Sequence, residues 1–295
     1  MQVLEWLKAV LYGIVEGITE WLPVSSTGHL ILFSEWLPFS FTDNAELLRE
    51  FWEMFEVVIQ LGAILAVIVL FWRRLIPFGK QKTDGEKRDA WKLWGKVLIA
   101  SIPAAVVGLC GDKLLEKFTG KDIDGWLYNG LVVAVALIVY GVAFLAVERL
   151  HQGTFPRADS VNDISIRTAW GIGLFQVLSL IPGTSRSGST ILGSILLGVS
   201  RTAAAEFSFF LAIPVMFGAS GVKAIGFANY LQESGTSVPA AAWGILAVGC
   251  VVSLLVSLVA IRFLTDFVKK HSFAPFGVYR IILGAGVLIW YLVTK

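Results

Sequence analysis

Two carboxylates interrupt an apolar stretch near the N-terminus of the chain. Glu16 and Glu20 are four residues apart, so on a helix they share one face. Such a pair can bind a divalent cation through oxygen, or one member can transfer protons. The alternative is a polar helix face near a membrane surface. Carboxylates inside a membrane are costly and usually functional, which favours the chemical interpretation.

A cluster of hydroxyl groups follows, next to a histidine. Ser25, Ser26 and Thr27 come shortly before His29. A hydroxyl beside a base is the arrangement of an activated nucleophile. The alternative is that Ser26 or Thr27 caps the helix that follows, since serine and threonine are favoured at that position. Both interpretations hold together if the helix start also binds an anion.

A second polar interruption, in another apolar stretch, carries an arginine. Thr184, Ser185, Arg186 and Ser187 lie between a proline and a glycine. Arginine pairs bidentately with phosphate, and the hydroxyls add donors, so this segment predicts a phosphate-type anion site. The alternative is that Arg186 only pairs with a carboxylate of the first interruption. Together, the two interruptions contain the groups needed to hydrolyse a phosphate ester or anhydride.

Arg201 and Glu206 flank the start of the next apolar segment. Two interpretations stay open for them. Either the two side chains pair with each other, or Arg201 contacts the headgroup of a substrate at the membrane boundary. Glu56 and Gln60 lie one turn apart in an earlier segment. For them, too, pairing with each other and contact with a substrate both stay open.

The composition indicates an integral membrane protein. The 295 residues are 56% hydrophobic and only 16% charged, whereas roughly a quarter of the residues are charged in soluble domains. The net charge of +2 is too small to indicate a nucleic-acid partner. The two cysteines, Cys110 and Cys250, lie in apolar segments, which favours packing over a disulfide framework or a metal site.

Six apolar segments approach the roughly 20 residues that a spanning helix needs. They are 55–72, 94–110, 126–147, 207–227, 240–264 and 275–293. Two further segments, 4–33 and 168–199, are broken in the middle by Pro, Gly and Ser, which end helices. Basic residues predict that the connectors 73–92, 148–167 and 269–270 are cytoplasmic. This orientation requires the segment 168–199 to be a re-entrant hairpin.

An internal repeat relates the two broken segments. Ser25-Ser26-Thr27-Gly28 resembles Ser185-Arg186-Ser187-Gly188, and three spans follow each. Because three is odd, the second half must be inverted relative to the first. The predicted fold is therefore an all-α integral membrane protein, with six transmembrane helices plus two re-entrant helical hairpins arranged as an inverted-topology repeat.

This fold forms one membrane domain over residues 1–295, with a first repeat of about 1–147 and a second of about 168–295. By the symmetry, the first hairpin enters from outside and both termini lie outside. Inverted repeats place their sites where the two broken elements meet. Irregular backbone at membrane depth must be buried or line a cavity, so the two breaks predict one shared polar cavity.

The two motifs resemble those of a known family. Glu16 to His29, EGITEWLPVSSTGH, resembles the first signature of the bacterial undecaprenyl-diphosphate phosphatase family, also called the bacitracin-resistance protein family. Pro182 to Gly188, PGTSRSG, resembles its second signature. The spacing of the apolar segments matches as well, so the resemblance covers essentially the whole chain.

The resemblance implies a multi-pass enzyme of the bacterial inner (plasma) membrane. It would hydrolyse undecaprenyl diphosphate to undecaprenyl phosphate and inorganic phosphate, recycling the lipid carrier for peptidoglycan and other envelope polymers and conferring bacitracin resistance. The active site would open to the periplasmic or outer side. A divalent cation, magnesium or calcium, would be the cofactor, and the polyprenyl diphosphate lipid the partner. The family is described as dimeric, which implies a homodimer.

By motif, Ser26 would be the nucleophile and Arg186 the phosphate clamp. Glu16 and Glu20 would bind the metal or transfer protons. His29 would be a base, a phosphate ligand or an orienting group. The choice between neighbouring hydroxyls as nucleophile also stays open. The expected substrate contacts are Ser25, Thr27, Thr184, Ser185, Ser187 and Arg201.

Two other classes compete with the enzyme. Secondary transporters also use inverted repeats with broken helices, and Arg186 would suit a carrier of lipid phosphate or another anion. A transporter, however, needs no nucleophile, so it leaves the hydroxyls and carboxylates of the first break unexplained. A purely structural scaffold explains neither break.

Overall fold

A computed structural model describes residues 2–111, 117–120, 126–127, 129–151 and 153–294. These residues are mainly helical, and their only β-structure is an isolated bridge between Ala158 and Val199. The helices before the middle of the chain are α1 (Gln2–Thr19), α2 (Ser26–Trp36), α3 (Ala45–Val58), α4 (Gln60–Leu70), α5 (Trp72–Leu75), α6 (Asp84–Val106) and α7 (Gly130–Leu150). They are followed by α8 (Ile166–Val177), α9 (Arg186–Leu196), α10 (Arg201–Ser234), α11 (Ala240–Val268) and α12 (Ala274–Thr294).

Among the described residues, six helical stretches are long and apolar enough to cross a membrane. They are Ala45–Leu70, Asp84–Gly111, Gly130–Leu150, Arg201–Ser234, Ala240–Val268 and Ala274–Val293. This confirms a multi-pass, all-α membrane protein with six spans. Within the predicted span 126–147, Tyr128 lies outside the described residues, and so do the terminal residues Met1 and Lys295.

Several of these helices extend beyond the apolar segments because polar residues continue them. The start of α6 shows the cause. The Thr83 hydroxyl accepts a hydrogen bond from the Glu86 backbone N–H (3.2 Å), and the Glu86 carboxylate accepts one from the Thr83 N–H (2.8 Å). This reciprocal capping box satisfies N–H groups that a helix start otherwise leaves without partners. The helix therefore begins ten residues before its apolar part.

The two broken segments have the same local geometry at their breaks. Ser25 precedes α2 with φ 75°, and Ser185 precedes α9 with φ 71°. Among the described residues, they are the non-glycine positions with positive φ. The hydroxyl of Ser25 accepts from Gly28 N–H (3.2 Å), and that of Ser185 accepts from Gly188 N–H (3.1 Å). The likeness supports the internal repeat, whose inverted orientation stays a prediction.

The predicted cap of α2 is wrong by one or two positions. The cap is Ser25, whereas Ser26 and Thr27 already belong to the helix. The physical reason is the positive φ of Ser25, which turns the chain one residue earlier than the capping pattern alone indicates. The hydroxyl of Ser26 is consequently not used as a cap.

The two halves of the chain pack in a matching way. The broken helix α1 packs against α11, and α8 packs against α6, so each contacts the middle span of the other half. A glycine allows the close approach: a Cβ on Gly13 would lie 2.7 Å from the Gly249 carbonyl oxygen. Gly173 approaches the Ala100 carbonyl in the same manner. Both glycines lie twelve residues before the capping serine of their half.

The first break is anchored in the main hydrophobic core. Trp21 is fully buried, and its ring meets the edge of Phe209 from α10, with centroids 5.4 Å apart. Buried aromatic pairs of this geometry stabilise beyond the area that they bury. Burial of Trp21 therefore fixes the turn after α1 against α10.

Candidate active site

Hydrogen bonds join the two breaks directly. The Ser187 hydroxyl, at the start of α9, donates to the backbone carbonyls of Glu20 (3.0 Å) and Leu22 (3.3 Å) in the first break. Arg186 Nη2 donates to Glu20 Oε1 at 3.0 Å. Because these bonds connect residues far apart in sequence, the polar residues of both halves form one site.

A buried arginine from the last helix also ties the two breaks together. Arg280 of α12 is fully buried. Its Nη1 donates to the Pro23 carbonyl (3.1 Å), and its Nη2 donates to the carbonyls of Gly183 (2.7 Å) and Thr184 (2.9 Å). One guanidinium thus fixes both turns at once. Arg280 was not predicted from the sequence, although a charged residue inside the predicted span 275–293 is itself a signal of function.

The serine and carboxylate at the centre of the site are in contact. The Ser26 hydroxyl donates to Glu20 Oε2 at 2.6 Å. Glu20 lies just beyond the end of α1, but its backbone N–H still bonds to the Glu16 carbonyl at 3.0 Å. The two carboxylate residues thus remain one helical turn apart. A carboxylate that accepts a serine hydroxyl is placed to take its proton.

Arg186 is oriented by the long helix α10 as well as by Glu20. Its Nη1 donates to the backbone carbonyl of Ser208 (2.7 Å) and contacts the Ser208 hydroxyl (3.3 Å). The same hydroxyl lies 2.8 Å from the Thr190 hydroxyl. The Arg186 Nε is buried and has no hydrogen-bond partner within the described part of the chain. The guanidinium is therefore held in one orientation, and its Nε–H is a buried donor without a partner among the described residues.

A cavity of about 150 Å³ opens onto these groups. Its polar lining includes Glu20, Ser26, Thr27, Ser185 and Arg186, and its apolar lining includes Val215 and Met216 of α10. An adjoining cavity of about 220 Å³ shares Thr27, Gln60, Ser179 and Pro182 and adds Glu56 and Lys223. The two cavities thus adjoin each other between the breaks and α10, with four lining residues in common.

Glu16 is fully buried, and neither of its carboxylate oxygens has a hydrogen-bond partner in the described residues. It lies within electrostatic range of Glu20, Glu56 and Arg186. A buried carboxylate without a partner is costly, so Glu16 fits a group that receives a cation or a proton, but it lines neither of the two cavities. The described residues contain no group of three or more His, Cys, Asp or Glu able to hold a metal. A cation here would need oxygen ligands from a substrate or water.

Both ring nitrogens of His29 are occupied by groups other than Ser26. Nδ1 lies 2.7 Å from the Ser25 carbonyl oxygen, and Nε2 lies 2.7 Å from the Tyr279 hydroxyl. The two rings are parallel, with centroids 5.8 Å apart. Of the roles left open for His29, this arrangement matches the orienting one, because the ring ties the start of α2 to α12. Tyr279 was not identified from the sequence.

The remaining expected substrate contacts have different positions. Thr27 lines both cavities, and Ser185 lines the smaller one while capping α9. Thr184 is buried, with its carbonyl bound to Arg280. The Ser185 and Ser187 hydroxyls lie 3.2 Å apart. These residues therefore surround or support the site, whereas only some present side chains to the cavity.

Arg201 is not brought to this site. It begins α10 seven residues before Ser208, which separates them by roughly 10 Å along the helix. Its guanidinium binds the Glu148 carboxylate, with Nη2 2.5 Å from Oε2. The alternative pairing with Glu206 is wrong, because Glu206 pairs with Arg74 at 2.6 Å, whereas the contact of Arg201 with a substrate headgroup stays a prediction. Residues five apart on a helix lie on different faces, which explains why those two do not meet.

Fold and site together define an all-α, multi-pass membrane protein with a serine, a carboxylate and an arginine buried where two broken helices meet. The chain belongs to the family described as bacitracin resistance protein BacA, which matches residues 9–286. This confirms the resemblance of the two motifs.

Relatives match over nearly their full length. The chain is 52% identical to a protein of Streptococcus mutans, covering 100% of this chain and 99% of the relative. It is 51% identical to one of Streptococcus thermophilus, covering 98% and 94%. It is 49% identical to one of Enterococcus faecalis, covering 96% of both. Each of the three relatives is named undecaprenyl-diphosphatase.

Proposed function

We propose that this protein is an undecaprenyl-diphosphatase. It removes the terminal phosphate of undecaprenyl diphosphate, yielding undecaprenyl phosphate and inorganic phosphate. The product lipid is reused as the carrier for peptidoglycan and other envelope polymers, and this recycling confers resistance to bacitracin. The names of the full-length relatives support the substrate. The observation that carries the chemistry is the 2.6 Å hydrogen bond from Ser26 to Glu20, beside Arg186.

In the first step, Ser26 Oγ attacks the terminal phosphorus. As the Oγ–P bond forms, the bond from phosphorus to the bridging oxygen breaks, and undecaprenyl phosphate leaves with that oxygen. Glu20 takes the proton of the attacking hydroxyl, which its 2.6 Å contact supports. The lipid phosphate is a stable anion and needs no proton to leave.

In the second step, water attacks the phosphoserine formed on Ser26. The Oγ–P bond breaks, Glu20 returns its proton to Oγ, and both protons of the water leave with the inorganic phosphate. Arg186 binds the phosphoryl oxygens throughout. Its place in the cavity lining supports this role, because a guanidinium held in a fixed orientation by Ser208 and Glu20 stabilises developing charge without reorganisation.

The cofactor in this proposal is a divalent cation, magnesium or calcium, held by Glu16 and Glu20. The buried oxygens of Glu16, which have no partner among the described residues, support this assignment. When bound, the cation would neutralise charge on the diphosphate oxygens. The small number of protein ligands is consistent with a cation that binds together with the substrate.

In the proposed enzyme, the active site lies between two re-entrant hairpins and opens to the periplasmic or outer side. The adjoining cavity extends along α10 toward Lys223, in the direction of the connector after Ser234. Residues 228–238 are acidic or neutral, which predicts that this connector lies on the outer side of the membrane. The proposed enzyme is also a homodimer, as the family resemblance implies. The mass of the detergent-solubilised protein would test this.

The test is release of inorganic phosphate from undecaprenyl diphosphate by purified protein in detergent, with magnesium or with a chelator. We expect release with magnesium and loss of release with the chelator. Ser26→Ala should release none, whereas Ser34→Ala should behave as wild type. Ser34 lies on the same helix, and its hydroxyl bonds to the Ile31 carbonyl.

Two results would contradict the proposal at different levels. Absence of release by the wild type would overturn the activity and favour a carrier. Full release by Ser26→Ala would overturn only the nucleophile. Arg186→Lys provides a further comparison, because lysine cannot reproduce a bidentate contact. Full activity of that variant would overturn the proposed role of the guanidinium.

A further inference from the structure

A separate cavity of about 510 Å³ lies at the start of α10. Its lining includes Val142, Leu145, Ala146, Glu148, Arg149 and Arg201. None of its lining residues lines either cavity of the candidate active site. The cavity is formed where the end of α7 meets the starts of α10 and α12. The proposed hydrolysis therefore does not use the residues that line this cavity.

Arg201 is held in one orientation beside this cavity. Its Nε contacts both oxygens of Glu148 (3.0 and 3.1 Å), and its Nη2 contacts Oε2 (2.5 Å). Glu148 also accepts a hydrogen bond from the Phe273 backbone N–H at 2.8 Å. The Nη1 of Arg201 makes no hydrogen bond to any described residue, and the side chain is 38% exposed. One edge of the guanidinium is thus fixed, and the other is available for a ligand.

A second arginine adds positive charge without a protein partner. Arg149 follows Glu148 in the chain, lines the same cavity and is exposed. In the described part of the chain, its side chain forms no ion pair or hydrogen bond. Since Glu148 already neutralises Arg201, the cavity carries about one net positive charge. This charge favours an anionic ligand with acceptor oxygens.

The wall of the cavity on the α7 side continues into an exposed apolar surface. Val135, Val139 and Val142 are 49%, 55% and 53% exposed and recur every three or four residues along this span. They therefore form one apolar stripe that extends to the cavity. The connectors 148–167 and 269–270 at this end carry basic residues, which predicts the cytoplasmic side. A ligand that combines an anionic head with apolar chains fits both parts of the surface.

We propose that this cavity binds the phosphate headgroup of an anionic phospholipid from the inner leaflet. Arg149 and the Nη1 edge of Arg201 would contact the phosphate oxygens, and the acyl chains would lie along the valine stripe of α7. A soluble anion has no apolar groups that would pack against this wall. The lipid site is separate from the active site. It lies at the start of α10, whereas the cavity that adjoins the active site extends toward Lys223, further along the same helix.

The test uses the full chain, purified and exchanged into micelles with either phosphatidylglycerol or phosphatidylcholine. Native mass spectrometry then counts the retained lipids. We expect preferential retention of phosphatidylglycerol, and Arg149→Gln should weaken it at least about tenfold, as expected for loss of one charge-assisted contact. Arg262→Gln is the matched control. It removes an exposed arginine of α11 that does not line the cavity.

A second measurement guards against misfolding of a variant. Phosphatidylglycerol should raise the unfolding temperature of the wild type and of Arg262→Gln but not of Arg149→Gln. Equal retention of the two lipids would overturn the proposal, and so would equal behaviour of the two variants. Displacement of the lipid by soluble glycerol phosphate would indicate a free-anion site instead. A change in oligomeric mass without a change in lipid count would indicate that a second copy covers this face.

Discussion

Ser26 donates its hydroxyl hydrogen to Glu20 across 2.6 Å, and each residue belongs to a different side of the first break. Glu20 follows the end of α1, whereas Ser26 is the first residue of α2. The contact therefore depends on the shape of the turn between them. The carboxylate is therefore the base in hydrogen-bond contact with the hydroxyl, whereas both nitrogens of His29 bond to other groups.

Replacing Glu20 by glutamine should lower kcat for phosphate release by about 10²–10⁴-fold, the range typical for loss of a general base. The amide retains a similar size and can still accept a hydrogen bond, but it cannot take the proton of Ser26. Glu35→Gln makes the same change on the exposed face of α2 and should keep the wild-type rate. A wild-type kcat for Glu20→Gln in a steady-state assay would contradict the proton transfer.

The capping serines provide a prediction about backbone strain. At Ser25, with φ 75°, alanine would lose the cap and keep the cost of a side chain at positive φ, about 1–2 kcal/mol. Glycine would lose the cap but relieve that cost. Ser25→Gly should therefore unfold at a higher temperature than Ser25→Ala, and the same order should hold at Ser185.

Ser165 is the matched control for this comparison. It caps α8 through Thr168 N–H at 3.0 Å, but its φ is −75°. The difference between the alanine and glycine variants should therefore be smaller at Ser165 by about 1 kcal/mol. Equal differences at Ser25 and Ser165, measured by thermal unfolding in one detergent, would show that the positive φ carries no cost.

The spans and breaks could be predicted because their signals are local. Apolar length identifies a span, and Pro, Gly and Ser identify a break, whatever the rest of the chain does. Even so, the cap of α2 was misplaced. The positive φ of Ser25 depends on tertiary contacts around the turn, such as the bond of Ser187 to the Glu20 carbonyl. Capping preferences alone do not contain that information.

The contacts between distant helices could not be predicted in the same way. That Arg280 binds Gly183 and Thr184, or that Tyr279 binds His29, depends on the packing of α12 against the breaks. The charge of Arg280 inside a span indicates that the residue is functional, but it does not indicate which residues Arg280 contacts. By contrast, the pairing of Arg201 with Glu206 could have been rejected from the helical period alone.

The packing of α1 against α11 predicts opposite effects for two identical substitutions. A Cβ at Gly13 would lie 2.7 Å from the Gly249 carbonyl oxygen, so Gly13→Ala should destabilise by about 1–3 kcal/mol through overpacking. Gly221, within α10, has no such neighbour within 4 Å. Gly221→Ala should therefore stabilise by about 0.4–1 kcal/mol, because alanine restricts the unfolded chain. Thermal unfolding would check both signs, and a shift of the same sign for both would contradict the close approach.

Arg280 should act on both stability and catalysis, because it holds the two turns that carry the catalytic groups. Arg280→Met keeps a long side chain but leaves the carbonyls of Pro23, Gly183 and Thr184 without this donor, at about 1–3 kcal/mol for each buried group. The unfolding temperature should fall. At temperatures where the variant stays folded, kcat should fall with little change in KM, since small displacements of catalytic groups slow the chemical step.

Two comparisons separate this positioning role from a purely structural one. Arg280→Lys keeps the charge but presents a single ammonium, so it should recover part of the stability and less of kcat. Arg262→Met removes an exposed arginine and should change neither quantity. If Arg280→Met lowered only the unfolding temperature and left kcat of the folded fraction intact, Arg280 would stabilise the fold without positioning Ser26 and Arg186. We expect kcat to fall, because the same guanidinium contacts both halves of the site and its loss should displace both turns.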